Sequence, residues 1–361
     1  MRKTFLIACI IIIPSVIFAQ QTKTKNLILV TIDGLRWQEV FTGADGDLIS
    51  NKDLVGNQEK MKSKYWDKED SVRRFKLMPF MWKTINNEGQ LYGNRNLKSL
   101  VNVTNKFWFS YPGYNELLTG SDDPDVNTNE FGPNKNKNVF EFLAEKNPGL
   151  QNNIAVFASW STLNDILNEN RSPYLINAGF EKLKAELVNP EMAGLNEIQF
   201  ALPDVFDGIR LDGSTFYLGF SYLKAYRPNI LYLSFDETDD FAHQGKYDLY
   251  LNSVHYTDQF LADLWEWIQS DPEYRDKTTL LVTCDHGRGK GNPDWRNHGS
   301  DTPGSDETWF AVIGPDTPAL GETKNVQCYT NQLAATISAL LGYEYVSDKT
   351  AGKPVLSVMG K

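Results

Sequence analysis

Cysteine is scarce in this sequence, which has only three cysteines among 361 residues. A count this low excludes the disulfide framework that holds many small secreted domains together. Cys284 follows an apolar run at 279–283, so we interpret it as a core residue rather than as half of a bridge to Cys328. The fold must therefore depend on a hydrophobic core, and the chain is long enough to bury one.

Positive charge is also in deficit, because 36 lysines and arginines stand against 46 acidic residues, which gives a net charge of −10. No lysine- or arginine-rich block is present that could follow a phosphate backbone, so nucleic acid is not expected as a bulk partner. The contents of hydrophobic (41%) and charged (23%) residues are typical of a globular protein and exclude a disordered chain.

The first twenty residues have the pattern of a signal peptide. Arg2 and Lys3 precede an apolar stretch, and Ala19 is a small residue that suits cleavage. We predict a signal peptide at 1–19, a single domain at 20–361, no transmembrane segment after cleavage, and export to the periplasm or the medium. A lipoprotein modified at Cys9 is the alternative, although it leaves almost no apolar region before the cysteine.

Short apolar runs rich in β-branched residues alternate with helical patterns along the chain. The runs predict buried strands at 26–32, 154–157, 230–235, 280–283 and 309–313, and the helical patterns cover 73–87, 139–146, 247–269 and 332–341. This alternation predicts an α/β/α sandwich around a mostly parallel central sheet. Two polar segments, 45–70 and 168–218, are predicted to be insertions that cap the carboxyl ends of the strands, where ligands bind in such sheets.

Acidic residues and three of the four histidines gather at or just beyond the predicted strand ends. The residues concerned are Asp33, the acidic stretch 236–240, Asp285, His243, His286 and His298. Mixed sets of imidazole and carboxylate favour zinc or a similar transition metal over magnesium or calcium. Two such ions in one pocket can stabilise both the attacking and the leaving oxygen of an in-line displacement. His255 lies inside a predicted helix, and we interpret it as structural.

Five short motifs stand in a fixed order along the chain: L-I-L-V-T-I-D-G-L-R, S-Y-P-G-Y-N-E-L-L-T-G, D-E-T-D-D-F-A-H-Q-G, C-D-H-G and N-H-G. The ordered set resembles the alkaline phosphatase superfamily, most closely its nucleotide pyrophosphatase/phosphodiesterase branch, from about residue 26 to residue 342. The resemblance implies two divalent metal ions, most typically zinc, as cofactors. One ion would be bound by Asp239, His243 and His298, and the other by Asp33, Asp285, His286 and the oxygen of Ser110.

The second motif contains a serine between the aromatic residues 107–109 and Pro112, at the expected start of a helix. The resemblance implies that Ser110 is the nucleophile and forms a phospho-serine, and metal coordination is one way to activate a serine hydroxyl. The alternative is that Ser110 is only an N-cap. The resemblance also implies an asparagine that hydrogen-bonds a phosphate oxygen. Asn129 is the first choice and Asn127 the second, and either could be a turn residue instead.

Two departures from the family's patterns bear on the substrate. Sulfatases of the superfamily have an arginine where this chain has Tyr114, so hydrolysis of sulfate esters is disfavoured. Segment 158–164 lacks the lysine and arginine with which one branch of phosphomonoesterases grips phosphate, although Arg36, Arg288 or Lys290 could replace them.

The sequence therefore predicts an exported two-metal hydrolase of small-molecule phosphoric esters, acting on phosphodiester or pyrophosphate bonds. The alternatives are a phosphomonoesterase or phosphonate hydrolase of the same superfamily, and a non-catalytic member that binds a ligand in the same cleft. Four tryptophans near the motifs form either a stacking slot for a ring or part of the core: Trp37, Trp108, Trp160 and Trp295.

Overall fold

The computed structural model describes residues 22–361. The predicted signal peptide, including Cys9, lies outside the described residues. Within 22–361 no helix combines the length and the apolarity that are needed to cross a membrane.

The described strands form two sheets. The strands are β1 (Asn26–Ile32), β2 (Gln90–Tyr92), β3 (Ser99–Asn102), β4 (Ile154–Ala158), β5 (Leu175–Ala178), β6 (Ile230–Phe235), β7 (Thr278–Thr283), β8 (Glu307–Thr308), β9 (Phe310–Ile313), β10 (Gly321–Glu322) and β11 (Val326–Tyr329). The large sheet has eight strands in the order β10-β2-β9-β7-β1-β6-β4-β5, and the small sheet has the order β11-β3-β8. In the large sheet β9 runs antiparallel to both neighbours, and the other pairings are parallel.

Helices pack on both sides of the large sheet. They are α1 (Trp37–Thr42), α2 (Gly46–Ile49), α3 (Gln58–Tyr65), α4 (Asp70–Leu77), α5 (Asn86–Glu88), α6 (Ser110–Thr119), α7 (Val139–Lys146), α8 (Leu163–Ile166), α9 (Pro190–Ile198), α10 (Asp212–Tyr226), α11 (Glu237–His243), α12 (Tyr247–Ser270) and α13 (Leu333–Leu340).

Strand β1 lies in the middle of the large sheet and is buried along its whole length. Ile28, Val30 and Ile32 pack into the core on one face together with α10 and α12. Leu27 and Leu29 pack into the core on the other face together with α6, α7 and α13. Because successive side chains of a strand point to opposite faces, a continuous apolar run is what a strand covered on both sides requires.

The predicted fold class is confirmed, since helices cover both faces of a mostly parallel sheet. All five predicted strands are present within a residue or two of the expected bounds. The fifth, β9, runs opposite to its neighbours, so its carboxyl end does not share the edge at which β1, β6 and β7 end.

The helix predicted at 73–87 is wrong as a single element. Helix α4 ends at Leu77, and the chain resumes as a π-helical turn at Met81–Ile85, followed by α5. Pro79 explains the break, because proline has no N–H to donate and disfavours a helical conformation in the residue before it. That residue, Met78, has φ −129° and ψ 70°, outside the helical region.

Segment 168–218 is more regular than expected, because it contains β5, α9 and the start of α10. Helix α10 packs against β4 and β6. It therefore belongs to a helical layer of the sandwich and not to a cap. Segment 45–70 contains α2 and α3. That other parts of these two segments cap the strand ends stays a prediction.

Cys284 and Cys328 are both buried and have free thiols. They belong to the cores on opposite faces of the sheet. The interpretation of Cys284 as a core residue is confirmed.

Candidate active site

Three adjacent strands bring the predicted site residues together. Strand β1 pairs in register with β6 on one side and with β7 on the other, and all three are parallel. Asp33 after β1, helix α11 after β6, and Asp285 with His286 after β7 therefore emerge at the same edge of the sheet. Gly34 makes the first turn possible, because its φ is +56° and a β-carbon there would lie 2.6 Å from Asp239 Oδ1.

Asp33, Asp285 and His286 form one buried group of candidate metal ligands. The Nε2 atom of His286 lies 3.3 Å from Asp33 Oδ1 and 3.4 Å from Asp285 Oδ2. One ligand atom from each residue lies within 4.8 Å of the other two. These are the three residues that the sequence analysis assigned to one ion.

Asp239, His243 and His298 meet beside this group. His243 Nε2 lies 3.0 Å from Asp239 Oδ2 and 2.9 Å from His298 Nε2. Asp239 and His243 are four residues apart on α11 and therefore share one face of the helix. Asp239 and His298 also form a close group with His286, so the two predicted sets are contiguous. His243 lies at the open side, with 44% of its side chain exposed.

Several ligand atoms in the first group have no hydrogen-bond partner. Both carboxylate oxygens of Asp33 and Oδ2 of Asp285 are buried and have no hydrogen bond of good geometry, although His286 Nε2 lies 3.3 Å from Asp33 Oδ1 and 3.4 Å from Asp285 Oδ2. Buried polar atoms are nearly always satisfied, so these oxygens need a further partner. A tetrahedral zinc ion with bonds of about 2.0–2.1 Å separates its ligand atoms by about 3.3–3.4 Å. The distances from His286 in the first group, 3.3 and 3.4 Å, match that value, and those among Asp239, His243 and His298 range from 2.9 to 3.7 Å around it, so the residue types and their spacing fit a pair of divalent ions.

Crowding of charge shifts the pKa values in this pocket. Burial raises the pKa of Asp33, and the charge of Asp239 raises it further. Burial and the charge of Asp33 raise the pKa of Asp285 well above its usual range. Burial lowers the pKa of His286, but the carboxylates around it, Asp285 first, raise that pKa to about 9. The raised pKa values show that ionised carboxylates are unfavourable in this pocket without a further cation, and a bound divalent ion would stabilise their ionised form.

Arg288 is a partner of Asp239 that the sequence analysis missed. Its buried guanidinium donates from Nη1 to Asp239 Oδ1, and Nε donates to the main-chain oxygen of Trp295 at 3.0 Å. Burial raises the pKa of Asp239, but Arg288, followed by His298 and His243, holds that pKa well below its usual range. The available signal was the position of Arg288, two residues after His286.

The other two cations considered for phosphate binding have protein partners. Arg36 is buried, pairs with Glu39, and donates from Nη1 to the main-chain oxygen of Gly289 at 3.1 Å. The suggestion that Arg36 grips phosphate is therefore wrong. Lys290 pairs with Glu307 at 3.3 Å and is largely exposed.

Ser110 is the first residue of α6, and Phe109 occupies the N-cap position, so the alternative that Ser110 is an N-cap is wrong. Its Oγ lies 3.2 Å from His286 Nε2, and the residue is only 6% exposed. Gly113 permits this approach, because a β-carbon there would lie 2.6 Å from the main-chain oxygen of Asp285. The hydroxyl therefore faces the candidate metal centre from a helix N-terminus, where partial positive charge favours an oxyanion.

Asn129 contacts the N-terminal end of the same helix. Its Oδ1 accepts a hydrogen bond from the main-chain N–H of Tyr111, the residue after Ser110, at 2.9 Å. This contact places Asn129 next to Ser110 and favours it over Asn127 as the asparagine of the candidate site.

Tyr114 occupies the position at which the sulfatase motif has arginine. The side chain is fully buried. Burial, followed by the charges of Asp33 and Asp285, raises the pKa of Tyr114 well above its usual value, so its hydroxyl stays neutral. The site therefore has no cation at this position.

The four tryptophans near the motifs do not form one stacking slot. Trp37 and Trp295 are buried. Trp295 packs against the rings of Tyr247 and Tyr250. For these two tryptophans the core interpretation is confirmed. Trp108 and Trp160 are only half-buried.

Residues 123–343, more than half of the chain, match the model of the family described as Sulfatase. The matched range contains most of the candidate ligands, but it begins after Asp33 and Ser110. No curated protein matches the sequence significantly.

Solved structures of other proteins have a similar fold. They include the lipoteichoic acid synthase LtaP from Listeria monocytogenes, with a TM-score of 0.60 and 13% identity over 94% of this chain and 77% of that chain. The phosphonate monoester hydrolase of Agrobacterium radiobacter has a TM-score of 0.57 and 13% identity over 93% and 77%. Murine ectonucleotide pyrophosphatase/phosphodiesterase 5, in complex with AMP, has a TM-score of 0.54 and 13% identity over 91% and 97%. Identities this low demonstrate a shared fold and do not single out one activity.

Proposed function

The chain belongs to the sulfatase family, within the alkaline phosphatase superfamily, and from this membership we propose that it is an exported, metal-dependent hydrolase of phosphoric esters. Its substrates are small molecules with phosphodiester or pyrophosphate bonds. Its cofactors are two divalent ions, zinc being the best match to the mixed imidazole and carboxylate ligands.

The observation that best supports the proposal is the position of the Ser110 hydroxyl. Its oxygen lies 3.2 Å from His286 Nε2, and His286 belongs to both close groups of candidate ligands. The hydroxyl therefore lies where it could coordinate an ion that His286 also binds, which a serine that only begins a helix does not require.

The six candidate ligands divide into two sets in the proposed centre. Asp33, Asp285 and His286 would hold one ion, and Asp239, His243 and His298 the other. When bound, such ions lower the pKa of a coordinated hydroxyl or water and neutralise charge on phosphate oxygens.

The protein itself orients the nucleophile. The N-terminus of α6 directs Ser110 Oγ at the pocket, and Asn129 fixes the main-chain N–H of the next residue. In the first half of the reaction Ser110 Oγ bonds to phosphorus and the alcohol on the opposite side leaves. In the second half water attacks phosphorus, and Ser110 is released.

The residue at position 114 favours phosphoric over sulfate esters. Neutral, buried Tyr114 takes the place of the arginine that the sulfatase motif has. The family match that carries the sulfatase name begins at residue 123, so it has no bearing on residues 110–114.

A phosphomonoesterase or a phosphonate hydrolase built on the same residues is the second candidate, because the shared fold does not single out one activity and two structural neighbours are named as phosphonate monoester hydrolases. A non-catalytic role is disfavoured, since all six candidate ligand positions and the nucleophile position are filled.

The test is a comparison of purified protein and its Ser110→Ala variant on bis(p-nitrophenyl) phosphate, p-nitrophenyl phosphate and p-nitrophenyl sulfate. We expect the highest kcat/KM on the diester and a fall of at least about a thousandfold in Ser110→Ala. The zinc content of both proteins should be similar. A Ser110→Ala variant with wild-type turnover would remove the nucleophile from the proposal, and a preference for the sulfate would reverse the choice of ester.

A further inference from the structure

Three aromatic residues, Phe107, Trp108 and Phe109, directly precede the nucleophile, and we refer to them as the aromatic triplet. All three are half-buried, whereas Ser110 beside them is buried. The rings of Phe107 and Phe109 lie 6.1 Å apart. Three large apolar side chains thus remain partly open to solvent next to the reacting hydroxyl.

The backbone of Trp108 is strained. Its φ is +56°, in the left-handed region that large side chains rarely adopt. Asn105 stabilises the turn, because its Oδ1 accepts hydrogen bonds from the N–H groups of Phe107 and Trp108 at 2.9 and 3.1 Å. Strain of this kind persists only where the surrounding structure enforces it, and it is concentrated at functional sites.

The enforcing contacts lead back to the nucleophile helix. Glu116 of α6 is fully buried, and its carboxylate accepts hydrogen bonds from the main-chain N–H groups of Thr104 and Asn105 at 2.7–2.9 Å. It also accepts from Asn105 Nδ2 at 2.9 Å and from the N–H of Asn331 at 3.0 Å. Since Glu116 and Ser110 belong to one helix, the triplet is fixed in position relative to the reacting oxygen.

We propose that the aromatic triplet, with Trp108 as its main contact, selects phosphodiesters whose retained group is planar and apolar. This inference rests on the proposed function. In an in-line displacement the leaving group departs on the side of phosphorus opposite the nucleophile. Side chains on the nucleophile's side are therefore nearer to the group that stays on phosphorus. A monoester has no such group, so the triplet also favours diesters.

Stacking supplies the recognition. An aromatic ring offers a large contact face with little loss of conformational entropy, and an offset or edge-on ring partner adds to the burial of apolar surface. The strained turn costs stability in the free protein, and a ring contact with substrate explains why glycine or asparagine does not occupy position 108.

The experiment uses two diesters with the same leaving group, phenyl p-nitrophenyl phosphate and methyl p-nitrophenyl phosphate. We expect wild-type protein to have the higher kcat/KM on the phenyl ester. Trp108→Gly keeps the left-handed backbone accessible and removes the ring, and Trp108→Asn does the same with a side chain that tolerates this conformation. Both variants should lower the phenyl-to-methyl ratio about tenfold, and Trp108→Tyr should retain most of it. Tyr226→Ala serves as the control and should leave the ratio unchanged. Tyr226 is an exposed aromatic residue at the end of α10. It lies close to the start of β6 and therefore at the edge of the sheet opposite the candidate site.

Binding separates this inference from the proposed function. Calorimetry on zinc-loaded Ser110→Ala should give tighter binding of phenylphosphonate than of methylphosphonate, and adding Trp108→Gly should abolish the difference. If the wild type hydrolyses neither diester while the phenyl preference in binding depends on Trp108, the proposed function fails and the aromatic contact stands. The inference would be overturned if the phenyl-to-methyl ratio of kcat/KM in Trp108→Gly and Trp108→Asn stays within about twofold of the wild-type ratio. It would also be overturned if the ratio falls as far in Trp108→Tyr as in those two variants.

Discussion

The substitution Gly113→Ala tests the close approach between the nucleophile helix and the end of β7. On helix propensity alone alanine is better than glycine in a helix by about 1 kcal/mol. The structure predicts the opposite effect, because the new β-carbon would lie 2.6 Å from the main-chain oxygen of Asp285 and 3.0 Å from its carbonyl carbon. Ordinary van der Waals contact begins near 3.4 Å, so α6 has to move by about 0.8 Å (3.4 − 2.6) or the strand end has to yield.

The expected magnitudes follow from this overlap. Overpacking of a rigid contact costs about 1–3 kcal/mol, and after the gain in propensity the free energy of unfolding should fall by about 0–2 kcal/mol. The larger effect is on catalysis, because Ser110 moves with the helix away from Asp285 and His286. A misplacement of about 1 Å can cost about a hundredfold in rate, and we expect a loss of that order in kcat/KM on a phosphodiester.

Chemical denaturation and steady-state kinetics measure the two quantities. Gly194→Ala is the matched control, since Gly194 lies inside α9 and a β-carbon there would meet no atom within 4 Å. The control should be slightly more stable than the wild type, by about 0.5–1 kcal/mol, and fully active. If Gly113→Ala is as active as the wild type and gains as much stability as Gly194→Ala, the contact between Gly113 and Asp285 does not hold α6 in place.

Three further predictions concern the metal centre and its surroundings. His243→Ala should lower the bound zinc from two ions to one per chain, as measured by elemental analysis. The control His255→Ala removes one hydrogen bond to a main-chain carbonyl. It should keep both ions and lose about 1 kcal/mol of stability. Burial lowers the pKa of His286, but its carboxylate neighbours raise it to about 9. In the metal-free protein a proton must therefore leave His286 before metal binds below pH 9, and the raised pKa values of Asp33 and Asp285 add to the protons released. Apparent zinc affinity in chelator competition should rise by at least about tenfold per pH unit towards pH 9. An affinity that is flat from pH 6 to 9 would contradict this. Asn129→Ala should lower kcat about a hundredfold, and Asn127→Ala should leave it unchanged; equal effects would show that the wrong asparagine was chosen.

The sequence was sufficient for the central strands β1, β4, β6 and β7, because they are buried along their whole length, but it did not reveal β2, β5 and β10 of the same sheet. A continuous apolar run such as β1 has few alternatives to a central strand. The ordered motifs also identified the superfamily, which the comparisons confirm. The break at Pro79 was visible in the sequence, but the amphipathic pattern on either side of it favoured one long helix.

Other features depend on contacts between distant segments, so a local pattern indicates at most that a residue lies near the site and does not identify its partner. Arg288 pairs with Asp239 across 49 positions of the chain. Glu116 holds the turn before Ser110 through hydrogen bonds whose donors include Asn331, more than 200 residues away. The direction of β9 likewise depends on how the chain returns to the sheet and not on the composition of the strand.

The most direct test is anomalous diffraction at the zinc absorption edge from crystals of the zinc-loaded protein. Our account predicts two peaks about 3.5–4 Å apart. One should lie among Asp33, Asp285 and His286 and the other among Asp239, His243 and His298, with the oxygen of residue 110 next to the first. A single peak, or peaks elsewhere on the surface with this edge of the sheet empty, would contradict the existence of the two-metal centre.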